Sequence, residues 1–244
     1  RNNRDGTFTD MTEKAGLRGK AIYAMGSNFG DLDNDGWLDF YVGTGNPDLR
    51  SVIPNRMFHS VGGTRFEEVT LPGGFGHLQK GHAVAFADLD RNGYEDVYEV
   101  IGGAYEGDTY TSVLVENPGW PDTAWITLEL EGRTANRSAV GAEVELDVVD
   151  AAGATRAIWR TVGNGGSFGS NPLQLHVGLG RATRVKAVHV HWPDKARTVT
   201  SYADLSVRSA YRIVQGEAPV LLKRPPVPFR KVKTSAPPMA HSQP

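Results

Sequence analysis

The 244-residue sequence contains no cysteine. Structural disulfides and cysteine-based catalysis are thereby excluded, while the compartment is left open. No apolar stretch approaches the roughly 20 residues of a membrane-spanning helix. The opening residues RNNRDGTFTD also lack the pattern of a signal peptide. They read like the middle of a repeat, so a processed or incomplete chain is expected. Acidic residues are missing from the last 27 positions, which hold five basic residues and half of the 14 prolines. The remainder has an ordinary globular composition, rich in glycine, and the length suffices for one large or two modest domains.

The net charge of −2 conceals three unlike segments. Residues 1–117 carry 10 basic against 18 acidic side chains, residues 118–217 carry 11 against 10, and residues 218–244 carry five against none. The acidic segment holds two related loops, DLDNDGWLD at Asp31–Asp39 and DLDRNGYED at Asp88–Asp96. Each places oxygen side chains at positions 1, 3, 5 and 9, with glycine at position 6. Carboxylates this close repel: at 5 Å a like-charge pair costs about 3 kcal/mol for an effective dielectric near 20. A divalent cation turns the repulsion into attraction. Calcium suits the donors best, since it accepts several carboxylates and a carbonyl in flexible geometry, whereas magnesium keeps its waters and zinc favours His or Cys.

The expected ligands in the first loop are Asp31, Asp33, Asp35 and Asp39, with the Trp37 carbonyl at position 7. In the second they are Asp88, Asp90, Asn92 and Asp96, with the Tyr94 carbonyl. Gly36 and Gly93 permit a positive φ at the sharp turn. One such loop also fits a solvated Asp/Asn/Gly turn; two in the same register, about 57 residues apart, argue for two structural calcium sites. Filling them would halve the negative excess of the segment, so its acidity requires no cationic macromolecule. Glu99 falls at position 12 of an EF-hand pattern, but HAVAFA before the second loop and DVYEVIGG after it are short and strand-like. The unit is strand, loop, strand.

The stretch DGTFTDMTEKAGL near the start returns as GGTRFEEVTLPGGF at Gly62–Phe75. A period near 57 with several short strands per unit predicts propeller blades over residues 1–117, and two blades cannot close a ring. After NPGWPD at Asn117–Asp122 the pattern changes to alternating strands: WITLELEG, VGAEVELDVV, LQLHVGLG and VKAVHVHW. Glu143, Glu145 and Asp147 form a polar face opposite Val144, Leu146 and Val148. Residues 118–217 are therefore expected to form an antiparallel β-sandwich.

The loops of residues 1–117 resemble the FG-GAP repeat, also called the integrin-alpha or VCBS-type repeat, whose calcium loop has the form D-x-D-x-D-G-x-x-D. Asn92 stands where that family has its third aspartate, which implies a weaker second site. The series NRSAVGAEVEL, GNGGSFGSN, LHVGLG, VHVHWPD and YRIVQGE resembles the ASPIC/UnbV domain, which follows FG-GAP repeats in secreted proteins including the cartilage acidic protein family. One departure is WPDK at Trp192–Lys195, where that family has a WPSG-like turn. The resemblance implies an extracytoplasmic location and no particular enzymatic activity.

The proline-rich tail, residues 218–244, cannot form a core and favours extended conformations. Leu221, Leu222 and Phe229 are its expected apolar anchors on a partner protein, with Lys223, Arg224, Arg230 and Lys231 meeting acidic patches. The alternative is that the tail folds back on its own domain.

Other candidate chemistry is weak. His189 and His191 share a strand face without a third ligand nearby in sequence. GNGGSFGS at Gly163–Ser170 lacks the Lys-Ser/Thr of a phosphate loop and reads as a tight strand connection. Asn136-Arg137-Ser138 is formally a glycosylation sequon. Ser167 and Ser170 lack an evident His/Asp pair.

The sequence thus predicts an all-β chain: a partial propeller of two FG-GAP-like blades, a sandwich and an extended tail. The expected role is a non-catalytic, calcium-stabilised, extracytoplasmic protein-binding or structural subunit, contacting its partner through the tail and the open blade edges. Nucleic acid is not an expected partner. The alternatives are a calcium-dependent lectin-like module using exposed aromatics such as Trp37 and Tyr94, and an enzyme with an unrecognised pocket.

Overall fold

The computed structural model describes residues 1–20, 23–45, 53–102, 111–163 and 165–230. Among them every regular element is a β-strand, as the period-two patterns require. No helix of the described residues is long and apolar enough to cross a membrane.

The acidic region forms two up-and-down sheets. One contains β1 (Ala24–Gly30), β2 (Asp39–Thr44), β3 (Arg56–Val61) and β4 (Arg65–Glu68); the other contains β5 (Gly81–Ala87), β6 (Asp96–Ile101) and β7 (Val113–Val115). Spatial order follows sequence order in both, as in propeller blades. The acidic loops are the β1–β2 and β5–β6 connections, closed by the pairs Gly30–Asp39 and Ala87–Asp96. Tyr41, Met57, Val84, Phe86 and Val97 form a core common to the two sheets. Glu99 lies in β6, where it accepts a 3.0 Å hydrogen bond from the Tyr41 hydroxyl, so it is a core residue of the blades.

The remaining strands are β8 (Ala124–Glu131), β9 (Glu143–Asp150), β10 (Thr155–Thr161), β11 (Leu175–Gly180), β12 (Ala182–His191), β13 (Val199–Leu205), β14 (Ser209–Val214) and β15 (Val220–Leu222). They make two four-stranded sheets, ordered β10-β9-β12-β13 and β11-β8-β14-β15. Both sheets line one core: Ile126, Leu128, Val177, Leu179 and Ile213 come from one, and Val144, Leu146, Val188 and Val190 from the other. Each such side chain gains about 1.5–3 kcal/mol on full burial, which holds β9 in the register its alternation predicts.

Three expectations need correction. First, β14 runs parallel to β8, so that sheet is mixed; alternation fixes the face a residue takes, not the direction of its strand. Second, the boundary at residue 217 is crossed, because β15 pairs with β14 and places Leu222 opposite Ala210.

Third, Gly163–Ser170 is no tight strand connection. Of this stretch Asn164 lies outside the described residues. The remainder reaches back to the blades, where Ser27 and Ser167 exchange backbone hydrogen bonds of 2.9 and 2.7 Å. Asn171, just beyond, accepts from the Phe86 amide at 2.8 Å and donates to the Phe29 carbonyl at 2.7 Å, tying β5 to β1.

Candidate metal loops at a domain junction

The two loops repeat one another bond for bond. At position 1, Oδ2 of Asp31 and of Asp88 accepts from the position-6 amides of Gly36 (3.0 Å) and Gly93 (3.1 Å). At position 3, Asp33 and Asp90 accept from the amides of Asp35 (3.2 Å) and Asn92 (3.0 Å). At position 5, Asp35 and Asn92 accept from Trp37 (2.7 Å) and Tyr94 (2.8 Å). At position 9, Oδ2 of Asp39 and of Asp96 accepts from the amides of Leu32 (2.9 Å) and Leu89 (3.0 Å). Gly36 and Gly93 have φ of +94° and +92°, the conformation expected of them, and Asn34 and Arg91 at position 4 have +57° and +60°.

The fit to a cation rests on the oxygens these bonds leave over. Oδ1 of Asp31 and Oδ1 of Asp88, both at position 1, are buried without any hydrogen-bond partner among the described residues. Such an acceptor costs about 1–3 kcal/mol or more when unsatisfied, and a hard cation would satisfy it. Asp31, Asp33 and Asp39 each present a carboxylate oxygen, all within 4.8 Å of one another. Burial, reinforced by neighbouring carboxylates, pushes Asp31 well above the usual range and both Asp39 and Asp88 up to about 6; Asp35 and Asp96 are raised for the same reason. The donors are oxygens of the kind calcium takes. The rings at position 7 lie apart from this chemistry: Trp37 packs over Gly63, while Tyr94 packs against Gly119 and donates its hydroxyl to the Trp120 carbonyl.

Both loops face the second domain, which their local sequence does not disclose. Arg160 of β10, its side chain 10% exposed, reaches Asp31 Oδ2 at 3.3 Å and the Gly36 carbonyl at 3.1 Å. Arg156 donates to the Asp35 carbonyl at 2.7 Å, and the Gly180 amide to the Asn34 carbonyl at 2.6 Å. His176 meets Asn34 Oδ1 at 3.0 Å; burial and the Arg160 cation push this imidazole down to about 3, so it stays neutral. Gly178 is required here, because a Cβ would lie 2.3 Å from Asp31 Oδ2 and 2.4 Å from the Asn34 Cα. The loops also hold each other: Asn34 donates to the Gly93 carbonyl at 2.8 Å, and the Asp31 amide donates to buried Glu95 at 2.8 Å. Glu95 is pushed up to about 7 by burial.

The linker completes the second loop. The Asn117 amide donates to Asp96 Oδ1 at 2.9 Å, and its side chain donates to the carbonyls of Leu32 and Glu95.

The tail is seated on its own chain as far as it is described. Leu221 and Leu222 belong to β15, Arg224 pairs with Glu129 and Gln174, and the Val227 amide donates to the Asp90 carbonyl of the second loop at 2.6 Å. Lys223 and Arg230 are exposed and Phe229 is partly buried; Lys231 lies outside the described residues. His189 bonds to Ser201 and His191 packs on Trp159, so this pair serves its own sheet. Between the domains lies a cavity of about 640 Å³ whose lining includes Phe29, Trp125, Gln174, Arg160, Glu95 and Arg224.

Sequence reasoning missed Asn34, Glu95, Asn117, Arg156, Arg160 and His176. Only Asn34 and Glu95 carried a signal, as polar residues inside the loops at positions that do not ligate.

Residues 132–220 match the family described as ASPIC and UnbV, and residues 1–42, ending just beyond the first loop, match the FG-GAP-like repeat. Comparison with curated proteins gave no match. The second loop lies outside the repeat match, and its kinship with the first rests on the shared bonding pattern. Repeats of this description are often involved in protein interactions. The chain therefore joins an FG-GAP-like repeat to an ASPIC/UnbV domain.

Proposed function

We propose that this chain is a non-catalytic, extracytoplasmic protein-binding or structural subunit in which two calcium ions fix the junction between blades and second domain. The observation that carries this reading is the recurrence, in both loops, of a buried position-1 carboxylate oxygen without a partner inside the same hydrogen-bond frame. Asp31, Asp33, Asp35, Asp39 and the Trp37 carbonyl would hold one ion. Asp88, Asp90, Asn92, Asp96 and the Tyr94 carbonyl would hold the other. Each ion would neutralise its loop and rigidify the surface that meets Arg160 and the linker. Calcium at 100 times its dissociation constant adds about 2.7 kcal/mol per site, which for two filled sites in a chain of this size raises Tm by about 11–22 °C. Melting curves in calcium and in chelator test this, and an unchanged Tm overturns it.

The partner surface would comprise the sheet edge β7, the part of edge β4 left uncovered by the Ala15 carbonyl to which the Phe66 amide donates at 2.9 Å, exposed Leu221, and the tail beyond β15. Truncation after Pro225 keeps β15 and removes the rest. Loss of a native co-purifying assembly supports the tail's part, and an unchanged assembly ends it.

The interdomain cavity favours a second reading, a carbohydrate-binding module, because it combines the rings of Phe29 and Trp125 with amide and guanidinium donors. Calcium-dependent binding on a glycan array, abolished by Trp125→Ala, would select it.

A further inference from the structure

The two loops differ in one donor brought from outside. In the first sheet the Ser60 amide donates to Asp39 Oδ1 at 2.7 Å, which anchors β3 beside the loop and sets its neighbour His59 there. The corresponding bond in the second sheet runs from the Asn117 amide to Asp96 Oδ1, at 2.9 Å. Glu116 is therefore the counterpart of His59. One site is offered an imidazole where the other is offered a carboxylate.

His59 Nε2 lies 3.1 Å from Asp33 Oδ2. Asp33, Asp35 and His59 each present one ligand atom, all within 4.8 Å of one another, and Asp33 belongs equally to the group it forms with Asp31 and Asp39. An ion held by Asp33 is thus within reach of the imidazole. Independently, Asp31, fully buried, keeps Oδ1 without a hydrogen bond in the adjoining group, which shares Asp33 with this one. Calcium binds through oxygen and gains nothing from an imidazole. Zinc and its neighbours take two carboxylates and a histidine readily, keeping a further position for water or another oxygen.

We propose that the first loop is also a transition-metal site, binding a zinc-class divalent ion through Asp33, Asp35 and His59, while the second loop remains an oxygen-only site. The two loops would then answer to different ions: zinc competes with calcium at the first and leaves the second alone. This inference shares with the calcium reading only the premise that the first loop holds a cation.

The test uses the whole chain with Zn2+ and Ca2+ as the probes. Calorimetric titration should give one Zn2+ site, weakened at least tenfold in His59→Gln, with Ca2+ affinity changed less than threefold. In 15N-histidine-labelled wild type, Zn2+ should shift a single imidazole nitrogen, the one absent from His59→Gln, and excess Ca2+ should reverse the shift. If Zn2+ binds equally well without His59, or shifts no imidazole nitrogen in the wild type, the proposal is overturned. Should His59→Gln fail to fold, the wild-type spectrum decides alone, with Zn2+ titrated against Asp35→Asn as the second variant. Zinc binding through His59 with a Tm indifferent to calcium and a shift that excess Ca2+ does not reverse would instead break the calcium reading and the competition between the ions, and leave the zinc site itself standing.

Discussion

The first acidic loop is enclosed by the second domain, with Arg160 on its position-1 carboxylate, Arg156 on its backbone and Gly178 against its Asn34. The second loop, with the same internal bonds, is bordered by the linker residue Asn117, the tail at Val227 and the interdomain cavity. Local chemistry is therefore shared and the surroundings are not. A repeat unit specifies how its loop is folded, and later parts of the chain decide what that loop supports. The first loop serves as a joint held by charge and backbone bonds to the second domain, whereas the second meets that domain through Trp125 packed on Gly93 and also secures the linker and tail.

The difference can be broken most forcefully at Arg160. Arg160→Met leaves Asp31 buried without its counter-charge, a class of change that costs about 3–5 kcal/mol. Urea unfolding should show that loss in chelator and a smaller one in calcium, because a cation at the loop takes over the neutralisation. An equal loss under both conditions would separate Arg160 from the ion.

A somewhat smaller effect is expected from pH. Asp39 and Asp88 have folded-state values near 6, raised above the ordinary carboxylate range. A raised carboxylate contributes stability that is complete below its unfolded value and is lost as pH rises through the folded one. Without cations, stability should thus fall between about pH 4 and pH 7, by up to roughly 3 kcal/mol for buried Asp39 at 1.36 kcal/mol per unit and by much less for the more exposed, solvent-screened Asp88. Calcium, bound as proposed, would take the ionised forms and should flatten or reverse the slope, so chelator and calcium curves are expected to diverge as pH rises.

Gly178→Ala distinguishes the loops more finely. Its methyl group would overlap Asp31 and Asn34, displacing the first loop at about 1–3 kcal/mol. Calcium affinity should fall at one site of two, which a two-site titration resolves. Smallest is Val227→Pro, which deletes the amide donor to Asp90. A loss of about 1 kcal/mol or less is expected, with any change in calcium affinity confined to the second site.

The loops and most strands were legible because their causes are local. Aspartate spacing sets the bonds at positions 1, 3, 5 and 9, and alternation in β9 sets which residues enter the core. What surrounds the loops was illegible because its causes are distant: Arg160 stands 129 residues after Asp31, and Asn171 stands 142 after Phe29. A lone arginine on an alternating strand carries no mark of the carboxylate it will meet. The glycine-rich stretch at Gly163–Ser170 was misread for the same reason, since its small residues serve close approach to β1 and not a turn between its own strands. The parallel pairing of β14 with β8 was hidden too, because the order and direction of strands leave no trace in period-two patterns.

The ion pair between Asp31 and Arg160 has a consequence in time. A ribosome extending the chain at about 5–20 residues per second exposes the first loop well before it adds the arginine 129 positions later. For roughly 6–26 seconds at that rate, the buried Asp31 carboxylate has no arginine to meet, although His59 is already at hand for Asp33. Were the loop to hold an ion as proposed, one from the surrounding solution would neutralise Asp31 in that interval, and its supply during biogenesis would set how early the first sheet could close around its loop.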